Sequence, residues 1–168
     1  MRLPWRVRAL FRKEAQTRAL TDINALIRSV ARLLRDEAIR RDVYIRLMLA
    51  DELPALKVDS VQIQQVLLNL AMNAMDATAG ISGPPELTIR SGQKNVDEAL
   101  ISIEDHGPGI AEDLTKRIFE PFFTTKPNGT GMGLAICRSI VEMHDGRIWA
   151  ENGPNGGAIF HFTVRTQA

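Results

Sequence analysis

Long apolar runs and cysteines are almost absent from this chain of 168 residues. No apolar run approaches the roughly 20 residues that a membrane-spanning helix needs, and the first residues lack the apolar core of a secretory signal. The single cysteine, Cys137, excludes an internal disulfide and fits a reducing compartment. These absences predict one cytoplasmic globular domain without membrane contact, which a membrane-anchored parent protein could carry.

Charge is unevenly distributed along the chain. Residues 1–41 carry a net charge of +7 and residues 42–168 carry −6, although the whole chain has a net charge of only +1. A basic end can bind nucleic acid or a membrane surface. We favour a solvated helix face, because long basic side chains keep their charged ends in water, and we expect no nucleic-acid partner. Apolar residues at helical spacing predict a short helix within residues 1–18; they are Leu3, Val7, Leu10 and Phe11.

Hydrophobic periodicity predicts helices and strands in an order typical of an α+β domain. Helices are expected from Asp22 to Leu34 and at 60–78, 112–118 and 132–144. Asp22 can cap the first of them, and Asp59 with Gln62 three residues later resembles a capping box for the second. Strands are expected at 19–23, 43–49, 56–58, 87–91, 99–105, 147–151 and 158–164, with a polar turn at 92–97. The order predicts two layers, with helices on one side of a mixed sheet.

The predicted helix at 60–78 carries a polar stripe beside its apolar face. The stripe, at steps of three and four residues, comprises Gln62, Gln65, Asn69, Asn73 and Asp76. Asparagine is a poor helix former, so two of them four residues apart need a reason. Amide oxygens suit Mg²⁺ that is bound to phosphates, whereas the alternative is a polar edge that faces solvent.

A second candidate site follows the predicted strand at 99–105. Ile101 and Ile103 point to the same face as Asp105, so the carboxylate lies at the end of a buried row. A buried carboxylate needs hydrogen-bond donors, which could be the exocyclic amine of adenine or nearby backbone. Gly107 and Gly109 would let a flat base approach the chain closely.

A glycine-rich segment opens the predicted helix at 132–144. Residues 129–134 read Gly-Thr-Gly-Met-Gly-Leu, and exposed amides at a helix start bind anions. This is not a Rossmann fingerprint, because Leu134 stands where the third glycine belongs, and the chain has no Gly-Lys pair for a Walker A loop. The alternative is a flexible loop.

Three of the six phenylalanines lie within residues 119–123, just before that segment. A local core cluster is one explanation. The functional explanation is a hydrophobic foot for a loop that closes over a nucleotide, with Lys126 reaching the phosphates.

In this order, the four segments resemble the boxes of histidine-kinase ATP-binding domains of the GHKL superfamily. Residues 64–74 resemble the N box, 105–109 the first Gly box, 119–126 the F box and 129–134 the second Gly box. The resemblance covers about residues 20–165. It implies the Bergerat fold, a two-layer sandwich with a mixed, mostly antiparallel sheet faced by three helices, which holds ATP and Mg²⁺ under a lid. Lys126 and the short lid look most like those of nitrogen- and oxygen-responsive kinases.

The resemblance also implies roles for residues in the boxes. Asp105 would accept from the adenine amine, and Asn73 would ligate Mg²⁺, with Asn69 as a second candidate. Lys126 would offset charge on the γ-phosphate. The remaining cofactor-binding residues would line the base or cradle the phosphates; they are Gly107, Gly109, Ile110, Gly129, Thr130, Gly131, Met132, Gly133 and Leu134. Phosphoryl transfer mainly needs positioning and charge stabilisation, which these parts supply.

Two departures from the family's patterns shape the functional prediction. ATPase members place a Glu four residues before the metal-binding Asn, whereas this chain has Asn69, which argues against ATP hydrolysis. The sequence also lacks the family's acceptor motif, because only His144 precedes an acid and no proline follows five residues later; we interpret His106, His144 and His161 as structural.

We therefore expect an ATP-dependent protein-histidine kinase domain at 19–168, preceded at 1–18 by the tail of a dimerisation helix or a linker. Its partners would be a phosphoacceptor His domain of the same parent protein and a downstream response regulator. The alternatives are a GHKL-type ATPase clamp, a sigma-factor-directed serine kinase, a nucleotide-binding module without transfer and a basic DNA-binding adaptor.

Overall fold

The computed structural model describes residues 18–83, 85–127 and 129–166. The helix expected within residues 1–18 therefore lies, apart from Arg18, outside the described residues. The strands are β1 (Ala19–Thr21), β2 (Tyr44–Leu49), β3 (Leu56–Val58), β4 (Glu86–Asn95), β5 (Glu98–Asp105), β6 (Ile148–Asn152) and β7 (Ala158–Arg165). The helices are α1 (Ile23–Leu33), α2 (Arg35–Arg40), α3 (Ser60–Ala77) and α4 (Gly133–Met143). In this part of the chain, no helix is both long enough and apolar enough to cross a membrane.

Five strands form one mixed sheet in the order β2-β4-β5-β7-β6, and β1 pairs with β3 in a separate antiparallel ribbon. Only the β2–β4 pair in the large sheet is parallel, and the other three pairs are antiparallel. The predicted α+β class with a mixed, mostly antiparallel sheet is confirmed.

The core lies between one face of this sheet and helices α1, α3 and α4. Alternate residues of the central strands, such as Ile89, Ile101 and Phe162, are fully buried on that face. They meet the apolar stripe of α3, which includes Leu67 and Leu70. The opposite face carries charged pairs across neighbouring strands, including Arg90 with Glu104.

Aspartates begin two of the core helices. Asp22 accepts a hydrogen bond from the Ala25 amide at the start of α1, as expected from the sequence. Asp59 accepts from the amides of Val61 and Gln62 at the start of α3. Each carboxylate satisfies amides that have no carbonyl partner in the first turn, so both helix starts are fixed by local sequence.

The structure differs from the sequence prediction at three places. Helix α1 ends at Leu33 and the separate α2 follows it, supported by the ion pair between Glu37 and Arg41. Strand β4 continues to Asn95, so the polar turn expected at 92–97 is shorter, because polar residues also suit an exposed strand end. The helix expected at 112–118 is instead two short 3₁₀ turns, at Glu112–Leu114 and Arg117–Phe119.

Candidate functional site

A cavity of about 400 Å³ lies where the end of α3, the loop after β5, the lid and the start of α4 meet. We call residues 119–127 and 129–131 the lid and residues 105–110 the β5 loop. Ten of the thirteen site residues expected from the sequence line the cavity: Asn73, Asp105, Gly109, Ile110, Lys126, Gly129, Thr130, Gly131, Gly133 and Leu134. The other three, Asn69, Gly107 and Met132, are not among the lining residues. The fold thus brings together segments that are separated by up to 61 positions in the chain.

Asp105 is the buried acid of the cavity, with only 2% of its surface exposed. Its Oδ1 atom accepts from the amide of Gly107 at 2.8 Å and from the amide of Ala158 at 3.2 Å. Within the described ranges no protein donor contacts Oδ2, so this oxygen can accept from a ligand. Burial raises the pKa of Asp105, and the two amide hydrogen bonds act in the opposite direction.

The β5 loop turns sharply beside this carboxylate. Gly109 has a φ of +81°, and a Cβ atom there would lie 2.7 Å from the side-chain oxygen of Asn152. The same Asn152 oxygen accepts from the Ile110 amide at 2.7 Å, and its Nδ2 donates to the Ile110 carbonyl at 2.8 Å. These two bonds hold Ile110 in place, and Ile110 lines the cavity.

Asn73 lines the cavity from the penultimate turn of α3. Its Oδ1 atom accepts from the Lys126 ammonium at 3.1 Å, and Lys126 also pairs with Asp76 Oδ2 at 2.6 Å. Arg41 donates to the other Asp76 oxygen at 2.6 Å. Desolvation opposes ionisation of Asp76, but the bonds from Lys126 and Arg41 outweigh it and hold the pKa of Asp76 below its ordinary value.

The lid is shaped by an unusual turn at its second phenylalanine. Phe122 has a φ of +66°, is exposed, and donates its amide hydrogen to the Gly131 carbonyl at 2.9 Å. Phe119 is buried against Phe160 in the core, whereas Phe123 lines the cavity beneath the Arg117 guanidinium. Phe119 thus belongs to the core, whereas Phe123 belongs to the wall of the cavity.

Helix α4 begins at the cavity. Its N-cap residue, Met132, makes no side-chain capping bond, and Gly133 and Leu134 of the first turn line the cavity. The first amides of a helix have no carbonyl partner within the helix and carry its positive dipole end. The cavity therefore offers amide donors to an anion at the start of α4 and a carboxylate acceptor at Asp105.

Asn69 and Gly107 each contact a neighbouring element of the fold. The Asn69 side chain bonds to the thiol of Cys137 on α4, and burial is the main cause that raises the pKa of this thiol to about 12. Gly107 lies against the end of α3, where an added Cβ would be 2.5 Å from the Ala77 carbonyl oxygen. Both residues pack secondary-structure elements against each other beside the cavity.

The three histidines occupy separate positions. His144 is buried, and its ring nitrogens bond to the Asp59 amide and the Ile140 carbonyl. His161 lies on the outer sheet face, bonded to Ser102 and Glu151. His106 is exposed and follows Asp105 directly.

Sequence reasoning missed several cavity residues. Phe160 and Ala158 come from β7, and Leu114 and Ile118 come from the 3₁₀ turns. Apolar residues of this kind carry no motif, because any core strand has them. Asn152, which holds Ile110 without lining the cavity, was also missed, since an asparagine beside a glycine-rich turn is ordinary turn chemistry.

Clustered metal ligands are absent from the described part of the chain, where no group of three or more His, Cys, Asp or Glu side chains could hold a metal ion. A hard cation in this cavity would therefore need oxygen ligands from a bound phosphate, with Asn73 Oδ1 as a protein ligand. The amide donors at the start of α4 suit a phosphate group, and the Asp105 acceptor suits a ring that carries a hydrogen-bond donor.

Comparisons with known proteins agree with this geometry. The family described as "Histidine kinase-, DNA gyrase B-, and HSP90-like ATPase" matches residues 58–168. Sensor histidine kinase TmoS of Ectopseudomonas mendocina is 38% identical over 160 residues, which cover 94% of this chain and 16% of TmoS. The chain spans less than a third of the length of the curated relatives it matches first.

Solved structures show the same relationship. The nucleotide-free catalytic domain of histidine kinase ThkA matches with a TM-score of 0.80 and 35% identity, covering 90% of this chain and 97% of that domain. Full-length ShkA in complex with AMPPNP matches with a TM-score of 0.80 and 30% identity, covering 90% and 32% of the two chains. ThkA in complex with the response regulator protein TrrA matches with a TM-score of 0.76 and 32% identity, covering 89% and 42%.

These relatives are sensor kinases, which favours that type over an ATPase clamp or a serine kinase. The chain belongs to the histidine kinase-, DNA gyrase B- and HSP90-like ATPase family, as an ATP-binding catalytic domain of the sensor histidine kinase type.

Proposed function

We propose that this chain binds Mg-ATP in the cavity and donates the γ-phosphoryl group to a histidine outside this segment. The observation that carries the proposal is the pairing of a buried acceptor, Asp105, with an uncapped helix start at Gly133 in one cavity. The acceptor suits the exocyclic amine of adenine, and the helix start suits the phosphates. Adenine and triphosphate would therefore lie at the two ends of the same cavity.

The phosphate end would be completed by the lid and α3. Thr130 and the amides around Gly129 and Gly131 would contact the phosphates, and Lys126 would move from Asn73 to the γ-phosphate. The Asn73 amide oxygen would then be free to ligate a metal. A bound Mg²⁺ would neutralise phosphate charge there, and the oxygen-donor chemistry of Asn73 fits this ion.

The transfer itself would break the bond between the γ-phosphorus and the bridging oxygen of ADP and form a bond from phosphorus to an imidazole nitrogen. None of the chain's own histidines is placed for that role. Both nitrogens of His144 and of His161 are engaged in hydrogen bonds, and His106 adjoins the acid proposed for the base end. We infer that the acceptor belongs to a dimerisation and phosphoacceptor domain of a larger protein.

Relatives support the rest of the assignment. ShkA binds the ATP analogue AMPPNP, and ThkA forms a complex with a response regulator. We propose a response regulator as the downstream partner of the parent protein. We also propose that this segment contacts neither nucleic acid nor membrane.

The test is a labelling experiment with ATP that carries a radioactive γ-phosphate. The chain alone should retain no label, and addition of the parent protein's His-containing segment should give acid-labile, base-stable label on that segment. The corresponding His→Gln variant of that segment is the control. Steady release of phosphate by the chain alone would instead indicate an ATPase clamp, and label on the chain itself would contradict the proposal.

A further inference from the structure

Asn152, the last residue of β6, is hydrogen-bonded to both backbone groups of Ile110. Its side-chain oxygen accepts from the Ile110 amide at 2.7 Å and its side-chain nitrogen donates to the Ile110 carbonyl at 2.8 Å. A planar amide is the side-chain group that can accept from an N–H and donate to a C=O at once, as a neighbouring strand would. Ile110 belongs to no strand, so this side chain replaces a strand partner.

The β6–β7 hairpin holds the other end of the same loop. Ala158, the cross-strand partner of Asn152, donates its amide hydrogen to Asp105 Oδ1 at 3.2 Å. Asn152 and Ala158, which face each other across the β6–β7 pair, therefore hydrogen-bond to the last and first residues of the β5 loop. The loop cannot shift relative to the hairpin without breaking bonds at both ends.

These residues lie where we propose that the base binds in the cavity. Asp105, Gly109 and Ile110 line it, and a larger residue at Gly109 does not fit beside the Asn152 oxygen. The proposed phosphate end is built from other segments that line the cavity, namely α3, the lid and the start of α4. A change at Asn152 should therefore reach the base end and leave the phosphate end intact.

We propose that Asn152 is a positioning residue for nucleotide binding, which holds the β5 loop so that Asp105 and Ile110 keep the geometry that receives the base. This inference rests on the proposed adenine-nucleotide site. It adds a residue from the edge strand β6, outside the four sequence boxes. Asn152 acts through Ile110 rather than by touching the nucleotide.

The test compares the chain with its Asn152→Ala, Asn152→Asp and Asn155→Ala variants by calorimetric titration with ADP and AMPPNP, with and without Mg²⁺. Asn152→Ala removes both bonds, and Asn152→Asp keeps the acceptor but sets a carboxylate against the Ile110 carbonyl. Each should weaken both ligands by the same factor, about three- to thirtyfold, independently of Mg²⁺. Asn155→Ala, in the exposed turn beside it, is the matched control and should bind as the parent chain does.

Amide hydrogen exchange at Ile110 provides a second readout. The Ile110 amide should exchange faster in Asn152→Ala, while the melting temperature stays close to that of Asn155→Ala. Unchanged ADP affinity in folded Asn152→Ala would overturn the proposal, as would a loss confined to AMPPNP or an unaltered Ile110 exchange rate. Failure of the unsubstituted chain to bind ADP would contradict the proposed function instead, so the two failures are distinguishable.

Discussion

The ammonium nitrogen of Lys126 lies 3.1 Å from the Oδ1 atom of Asn73. A lid residue thus contacts the amide oxygen that we propose for a metal. Asp76 completes the arrangement, because its carboxylate is paired with both Lys126 and Arg41. These side chains are partly exposed, so their pairing adds little to stability and can be exchanged for contacts with a ligand.

Replacement of Lys126 should affect triphosphate binding selectively. In Lys126→Gln the cation that would reach the γ-phosphate is lost, so AMPPNP should bind about tenfold more weakly while ADP affinity changes by less than about threefold. Lys116→Gln, an exposed lysine outside the cavity lining, is the control. Equal losses for both ligands, measured by calorimetry, would contradict the role at the γ-phosphate.

The two asparagines of α3 should differ in their effect on metal dependence. Asn73→Ala removes the amide oxygen that lines the cavity, so Mg²⁺ should no longer strengthen ADP binding. Asn69→Ala removes a bond to the Cys137 thiol and should leave the Mg²⁺ effect in place. Titration of each variant with ADP, with and without Mg²⁺, separates them. The opposite outcome would assign the metal to Asn69.

The lid should not tolerate a side chain at Gly131. Its φ of +70° is unfavourable for other residues, and a Cβ atom would lie 2.4 Å from the Phe122 carbonyl carbon. Gly131→Ala should therefore displace the lid and weaken AMPPNP binding at least about tenfold. Gly92→Ala is the control, because nothing lies within 4 Å of its Cβ position. AMPPNP binding to Gly131→Ala with unchanged affinity would show that this turn does not shape the site.

Stability should depend on the protonation of His144. Burial lowers the pKa of His144 in the folded chain below its ordinary value of 6.5, although the bond to Ile140 opposes this shift. The unfolded chain therefore takes up a proton that the folded chain excludes, so the free energy of unfolding should fall as pH drops below about 6.5. His144→Gln should show a smaller fall over the same window, measured by urea titration at pH 7.5 and 5.5. An equal fall in both proteins would assign the pH dependence to other groups.

Sequence patterns predicted most of the helices and strands and many of the residues that line the cavity. The caps at Asp22 and Asp59 were readable because capping is local, and alternation along β5 correctly placed Asp105 at the buried end of a strand. The sequence also predicted the glycine-rich start of α4, because that motif lies within six consecutive residues.

Other features depend on contacts between distant segments. The bond from Asn69 to Cys137 and the grip of Asn152 on Ile110 join positions 68 and 42 residues apart, which no local period reports. The pairing of Lys126 with Asp76 likewise needs the packed orientation of the lid on α3. The strand that extends to Asn95 was missed because exposed polar residues are common to turns and to the free ends of hairpins.

The central claim is that the Asp105 carboxylate receives the base of an adenine nucleotide. The most direct measurement is calorimetric titration of the chain and of Asp105→Asn with ADP. Because the Gly107 and Ala158 amides would keep the remaining oxygen, the new NH₂ group would face the adenine amine, donor against donor. We predict a loss of affinity of at least about tenfold, which corresponds to a charge-assisted bond of about 1.5–3 kcal/mol. Equal ADP affinity in the two proteins, with the fold of the variant intact, would contradict the account.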